Sequence, residues 1–428
     1  MGAFQRWYTL TVLIVAYVLS FIDRQILSIL VEPLKQDLHL SDTEISLLQG
    51  LFFAIFLALA GLPLGRLIDK GRRVRIAAGG IAVWSVATAT CALASAYPML
   101  LLCRIGVGVG EATLTPAAHA IVADSFPRRQ LGLALGVFGI GSYVGSGAAL
   151  LLGAAVMSAL QGYGLSLPII GTLKPWQCVF AVVGLPGLLI AGWVATLPES
   201  YPAGGRIVRP SLRAAWHVLQ PRFASLVAIN LTAAFTAMAI YAMGAWIPSY
   251  LIRTFGWSVA QAGSAYGLVV IVCGILGVVT GGTLSDMVVA RGVVAGRLIV
   301  MVVASFCAAP LAAAAMLAST GWWSVALLAP VTLLATISLG ILPAAQQAIV
   351  SGPVRGITAS MGVLMVNVIG LGVGPTAIAL ITDFALHDPK LIRYALAVAL
   401  PAMLLVSAAI GAVSLPRYGR TAGLSAAG

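Results

Sequence analysis

The sequence predicts an all-α integral membrane protein whose twelve transmembrane helices form two pseudo-symmetric six-helix halves. Three observations carry that expectation. The 428 residues are 61% hydrophobic and only 8% charged, too few charges to cover the surface of a soluble protein. Hydropathy and loop punctuation mark twelve apolar stretches of about 20 residues or more, the length a helix needs to cross a bilayer. The basic residues, finally, are sorted by loop. Sixteen of 24 fall in the termini and even-numbered loops, five in the odd-numbered loops, and Arg24, Arg66 and Arg104 within spans, which places both termini in the cytoplasm.

In chain order the spans are expected at 7–30, 43–66, 75–95, 98–122, 130–157 and 176–197. After a linker they continue at 223–250, 260–284, 295–318, 323–348, 356–382 and 391–415, the last ending shortly before Pro416. The first run is too long for a signal peptide, contains Asp23 and Arg24, and has no small-residue cleavage site, so it is expected to stay in the mature protein. SDTE at 41–44 reads as a capping box opening the second span. The linker, 199–222, holds Tyr201, Pro202, Gly204, Gly205 and Pro210, then SLRAAWHVLQ, which suits a short helix lying at the membrane surface. It separates an N-terminal half, 1–198, from a C-terminal half, 223–428. The halves echo each other: GRLID at 65–69 and GTLSD at 282–286 both end an even-numbered span at a cytoplasmic loop. Half-length self-similarity in a membrane chain points to a transporter.

Several functions are disfavoured. The net charge of +12 is explained by the loop bias, and no aromatic-basic face for nucleic acid is present. No zinc spacing, nucleophile elbow or histidine cluster marks an enzyme or a metal site, and no phosphate loop marks ATP drive, so no cofactor is expected. G-x-G-x-G at 106–110 follows no strand and lies at lipid depth. The five cysteines fall in spans without a motif and read as packing residues.

The stretch with most chemical content is RIGVGVGEATLTPAAHAIVAD at 104–124. On a continuous helix Arg104, Gly108, Glu111 and Thr115 share one face, while Gly106 and Gly110 form a small-xxx-small surface on the other. Charges at this depth should line an aqueous cavity rather than face lipid. Counted along their helices, Asp23 and Arg104 fall in the outer half of the bilayer, and Glu111 lies about 10 Å further inward than Arg104. Arg24 is offset by about 100° from Asp23, free to meet an anionic head group or to snorkel to the outer interface. Tyr143, Asn230, Tyr241, Trp246, Gln346 and Asn367 are polar or amphipathic residues within spans, either cavity lining or interhelical hydrogen-bond partners. His119 lies about 80° from Glu111 and reads as packed.

GRLIDKGRR at 65–73 resembles the G-x-x-x-D-x-x-G-R-R/K loop signature of the major facilitator superfamily, and RIGVGVG at 104–110 resembles its fourth-span motif. Residues 21–50, FIDRQILSILVEPLKQDLHLSDTEISLLQG, together with 104–126, are similar to the spinster-like branch, whose animal members export sphingolipids or lysophospholipids. The resemblance implies alternating access between two halves. It also implies a cytoplasmic latch, here Gly65, Arg66, Asp69, Gly71, Arg72 and Arg73 with Asp286 as second-half counterpart: Asp69 would cap the eleventh span near Gly356, and Asp286 the fifth near Gln130.

It further makes the first and fourth spans neighbours, so that Arg104 can pair with Asp23 or with Glu111. Burial disfavours an ionised carboxyl and a nearby guanidinium favours it, so an acid alternating between those settings takes up and releases protons. Asp23, Glu111 and Arg104 are the expected proton-coupling set; the structural alternative is a closed ion pair that locks two helices. The substrate expected from the resemblance is an amphipathic lipid-like molecule, touched by Arg24, Thr115, Tyr143, Asn230, Tyr241, Trp246 and Asn367; a small organic anion or drug is the alternative. Membrane lipids and protons are the other expected partners, in a monomer of the inner membrane.

Overall fold

The structure, a computed structural model, describes residues 2–69, 71–160, 164–168, 171–199, 212–350 and 354–427. Among them twelve helices are long and apolar enough to span a membrane: Ala3–Ile29, Asp42–Ile68, Arg73–Cys91, Tyr97–Ser125, Arg129–Ala159, Pro175–Ala195, Ala215–Phe255, Val259–Ala290, Gly296–Met316, Gly321–Ile349, Arg355–Leu386 and Pro389–Leu424. They are spans 1 to 12 below. Hydrocarbon offers no water to an unpaired amide, so even prolines such as Pro63, Pro186, Pro248 and Pro310 stay inside helices.

The contacts divide the chain into two compact units. One comprises Met1–Ile207 and Gly256–Ile271; the other comprises Val208–Phe255 and Val272–Gly428. In the first, span 3 packs between spans 4 and 6, span 1 lies on span 5, and span 2 meets span 4. In the second, span 7 packs against spans 10, 11 and 12, and span 9 against spans 10 and 12. A buried apolar cluster around Leu226, Ile229, Met301, Ile341 and Ile349 holds that unit, and Ala215 and Leu219 of the short helix Leu212–Leu219 join it. Trp216 of that helix stays exposed, so it has the amphipathic form expected of the linker's end; residues 200–211 lie outside the described residues. Trp322 and Trp323, exposed at the start of span 10, suit an aromatic interfacial belt.

The capping box forms as expected: Glu44 N–H donates to Ser41 Oγ at 3.1 Å, and Ser41 N–H donates to Glu44 Oε2 at 2.9 Å. Two expectations need correction. Span 12 does not stop before Pro416; its helix runs Ile392–Ala427. Tertiary bonds beyond the proline hold it: buried Tyr418 donates to the Ala345 carbonyl at 3.1 Å, and Ser225 and Thr421 hydroxyls meet at 3.0 Å. Span 4, in turn, is not one continuous helix but Tyr97–Glu111 followed by Leu114–Ser125. Pro116 has no N–H to offer the Ala112 carbonyl, and Thr113 N–H closes instead on Gly110 O at 3.2 Å. That tight turn breaks the register that placed Thr115 on the face of Arg104 and Glu111. The sequence also gave no warning of the small antiparallel hairpin Leu165–Leu167 with Gly171–Leu173 ahead of span 6.

Candidate functional site: a buried charge quartet

The glycine face expected of span 4 is present; the charged face keeps Arg104 and Glu111 but not Thr115, and both charges are buried against neighbouring helices instead of lining a cavity. A Cβ on Gly110 would lie 2.7 Å from Gly80 O and Trp84 N of span 3, and one on Gly106 would lie 3.2 Å from Ala87 Cβ. The glycine face is therefore the surface on which spans 3 and 4 meet backbone to backbone. From the opposite side, a Cβ on Gly108 would come within 3.3 Å of Phe53 O of span 2. Pressed in this way between spans 2 and 3, span 4 aims Arg104 and Glu111 at span 1.

Four charges meet there. Arg104 Nη1 donates to Asp23 Oδ1 at 3.2 Å and to the Asp23 carbonyl at 3.4 Å. Thr88 Oγ1, on span 3, donates to the other carboxylate oxygen, Asp23 Oδ2. Arg24 donates to Glu111 Oε2 from Nη2 at 2.6 Å and from Nε at 3.3 Å. Asp23, Arg104 and Glu111 are 1%, 1% and 3% exposed, so each charge depends on its partner rather than on water. Phe53 lies within reach of both cations, its ring centroid 5.0 Å from the Arg24 guanidinium carbon and 5.2 Å from that of Arg104; Phe21 lies 4.6 Å from Arg24. Ring faces are favourable ground for a partly desolvated guanidinium.

The pairing departs from expectation in one respect. Arg24 neither snorkels nor stands apart: it is the partner of Glu111, while Arg104 holds Asp23. Asp23 and Arg24 leave span 1 about 100° apart and nearly level with each other, and the long arginine side chain reaches Glu111, two turns along span 4 from Arg104. Two parallel ion pairs result. Among the described residues the quartet is not saturated, since Arg104 Nε and Nη2 and Glu111 Oε1 are buried without a hydrogen-bond partner.

At the other end of the same unit, Gly71 and Arg72 turn the chain with positive φ (99° and 61°), the strained geometry that favours glycine at the first position. Arg73 is buried, pairs with Asp124 at the end of span 4, and donates to the Ala120 carbonyl at 3.4 Å. Glu199 Oε2 accepts from Val74 N–H at 3.1 Å. Arg66 is exposed and a Cβ on Gly65 would meet no described atom within 4 Å; the Asp69 side chain and Lys70 lie outside the described residues. Asp286 is paired with Arg297 at 3.2 Å, across the turn from span 8 to span 9.

Of the expected lining residues, Tyr143, Tyr241, Asn367 and Thr115 are half-buried. Trp246 is fully buried and its Nε1 donates to the Pro375 carbonyl at 2.8 Å. Asn230 is fully buried as well, accepting from Gln346 Nε2 at 2.7 Å, while the same Gln346 nitrogen donates to the Thr358 carbonyl at 3.0 Å. These three tie span 7 to spans 10 and 11, the hydrogen-bonding alternative of the sequence reading. His119 sits edge-on to Phe138, 5.5 Å between centroids. Thr88, Phe53, Asp124 and Glu199 escaped the sequence reading. A hydroxyl in ATATC and an aromatic in an apolar run carry no sign of which charge they will meet.

The architecture and the intramembrane charges define a multi-pass membrane transporter. The major facilitator superfamily model matches residues 13–376, and the chain belongs to that family. A major facilitator efflux pump of Mycolicibacterium smegmatis is 30% identical over 425 residues, covering 98% of this chain and 95% of that one. A hexuronate transporter of Bacillus subtilis is 28% identical over 74% of each chain. Among solved structures, a bacterial homologue of the human lysosomal transporter spinster, in an inward-facing and unoccupied conformation, superposes with a TM-score of 0.77 at 27% identity, over 99% of this chain and 98% of that one. The likeness to the spinster branch seen in residues 21–50 and 104–126 thus extends over the whole fold.

Proposed function

We propose that the chain is a proton-coupled secondary transporter of the inner membrane, both termini cytoplasmic, alternating between halves 1–198 and 223–428 joined by 199–222. The observation that carries this reading is the buried quartet of Asp23, Arg24, Arg104 and Glu111. Two acids in hydrocarbon, each held by an arginine that stays charged, are sites where one proton changes a whole set of contacts. Protonation of either acid weakens its pair, and the freed guanidinium turns to the remaining carboxylate; Glu111 Oε1 and the unbonded nitrogens of Arg104 are the groups available for that exchange. Asp69 and Asp286 with their neighbouring arginines serve as the cytoplasmic latch, and Asp69→Asn shifts the population toward inward-open states.

The substrate favoured is an amphipathic lipid-like molecule, supported by the spinster likeness, with Arg24, Thr115 and Tyr143 of the first unit as lining residues. A small organic anion is the second reading, favoured by the hexuronate relative and by the two guanidiniums gathered at Phe53. Proteoliposomes with an imposed pH gradient distinguish them, using fluorescent lysophosphatidylcholine in one arm and radiolabelled glucuronate in the other. Asp23→Asn and Glu111→Gln are expected to abolish gradient-driven movement of whichever probe is carried. Undiminished gradient dependence in both variants refutes proton coupling through this site.

A further inference from the structure

The hydroxyl of Thr88 is fully buried and directed at one atom, Asp23 Oδ2, from a helix that bears no other group bonded to the quartet among the described residues. Its position is tightly determined. Span 3 is pinned on one side by Gly106 and Gly110 of span 4. On the other it is pinned by Gly184 and Gly187 of span 6, where added Cβ atoms would lie 2.5 Å from Ala89 N and 2.0 Å from Ser85 Oγ. A helix gripped by glycine contacts on two sides cannot drift, and Thr88 is presented to Asp23 as a fixed donor. The two oxygens of Asp23 thus have different partners: Arg104 takes Oδ1, and Thr88 takes Oδ2.

We propose that Thr88 is the positioning residue that sets the proton affinity of Asp23 and selects Oδ2 as the atom that receives the proton. This rests on the reading of Asp23 as a proton site. A hydroxyl is both donor and acceptor, whereas a guanidinium only donates. When a proton from water binds Oδ2, the new O–H points at Thr88 Oγ1, which rotates to accept it. The threonine's own proton then turns to the Trp84 carbonyl four residues back, the usual refuge of a helical threonine. No such reversal is open to Arg104, so protonation at Oδ1 would leave two donors facing each other. The other titratable or charged groups around Asp23 are Arg24 on its own helix, Cys91 on span 3, and Cys103, Arg104 and Glu111 on span 4.

The test does not need the substrate. In the purified full-length protein, the carbonyl stretch of a protonated carboxylic acid is followed by infrared spectroscopy across a pH titration, and the Asp23 band is assigned by its loss in Asp23→Asn. Thr88→Val keeps the shape and removes the donor, and Thr88→Ser restores the hydroxyl. Thr88→Val removes the charge-assisted bond to the ionised carboxylate and the weaker bond to the neutral acid, and the first is the larger loss. The Thr88→Val band is therefore expected to titrate higher by up to about one pH unit, a change of up to about tenfold in proton affinity, with a raised stretching frequency; Thr88→Ser returns both toward the parent. A band whose midpoint and frequency ignore Thr88→Val overturns the role of Thr88 while leaving Asp23 a proton site. Absence of any band lost in Asp23→Asn overturns the underlying reading instead. Should Thr88→Val fold poorly, Thr88→Ser against Thr88→Ala gives the same comparison.

Discussion

Breaking the Asp23–Arg104 pair from its two ends should have unequal consequences. Arg104 is 1% exposed, and among the described residues Asp23 supplies every hydrogen bond made by its guanidinium, Nε and Nη2 being unpartnered. In Asp23→Asn the guanidinium keeps one neutral acceptor and the main-chain carbonyl but loses the countercharge bonded to it. An arginine cannot shed its proton, so the charge stays; even turned toward Glu111 it must share that one carboxylate with Arg24, and the cost is that of an under-compensated buried ion, about 3–5 kcal/mol. In Arg104→Gln the orphan is a carboxyl, which escapes by binding a proton and keeps Thr88 as a partner. That variant should lose clearly less, about 1–3 kcal/mol. The double variant Asp23→Asn/Arg104→Gln removes both charges from a buried site, so its loss should fall below the sum of the singles by about 2 kcal/mol or more. Unfolding in detergent, followed by tryptophan fluorescence for all four proteins of the cycle, gives the coupling. Additivity within about 0.5 kcal/mol, or Arg104→Gln proving the costlier single change, would refute the view that these charges stabilise each other in a dry environment.

Other outcomes follow from separate contacts. Gly110→Ala pushes a methyl against span 3 backbone at 2.7 Å, against an ordinary limit near 3.4 Å, so spans 3 and 4 must part by about 0.7 Å; a loss of about 1–3 kcal/mol in the same unfolding assay is expected. Gly61→Ala, where no described atom lies within 4 Å, gains helix propensity without a clash and should cost no stability. Trp246→Phe removes the bond from Nε1 to the Pro375 carbonyl, leaves that acceptor buried, and should cost about 1–3 kcal/mol. Ser41→Ala deletes the capping box at the start of span 2 and should cost about 0.5–2 kcal/mol, visible as faster amide exchange in residues 42–46.

Much of the site was readable because the relevant physics is local. Asp23, Arg104 and Glu111 stood out as charges in hydrocarbon-length segments, and the glycine pair at 106 and 110 announced a close helix neighbour. Partner choice was not local. Whether Arg104 met Asp23 or Glu111 depended on the relative height of spans 1 and 4 and on the reach of Arg24, neither of which appears in a periodicity. The same holds for Trp246 and Asn230, whose polar atoms were as compatible with a cavity as with the neighbouring helix to which they are bonded.

The sequence by itself determined twelve apolar helices, the capping box at Ser41 and the presence of Asp23, Arg24, Arg104 and Glu111 within apolar segments. Each is a property of one segment against lipid or water. Tertiary structure alone decided that span 12 continues through Pro416, that span 4 turns at Ala112 and Thr113, and that Thr88 faces Asp23 while Arg24 faces Glu111. A hydrogen bond or an ion pair joins atoms far apart in the chain, and which atoms meet is set by how closely the glycine faces let the helices approach.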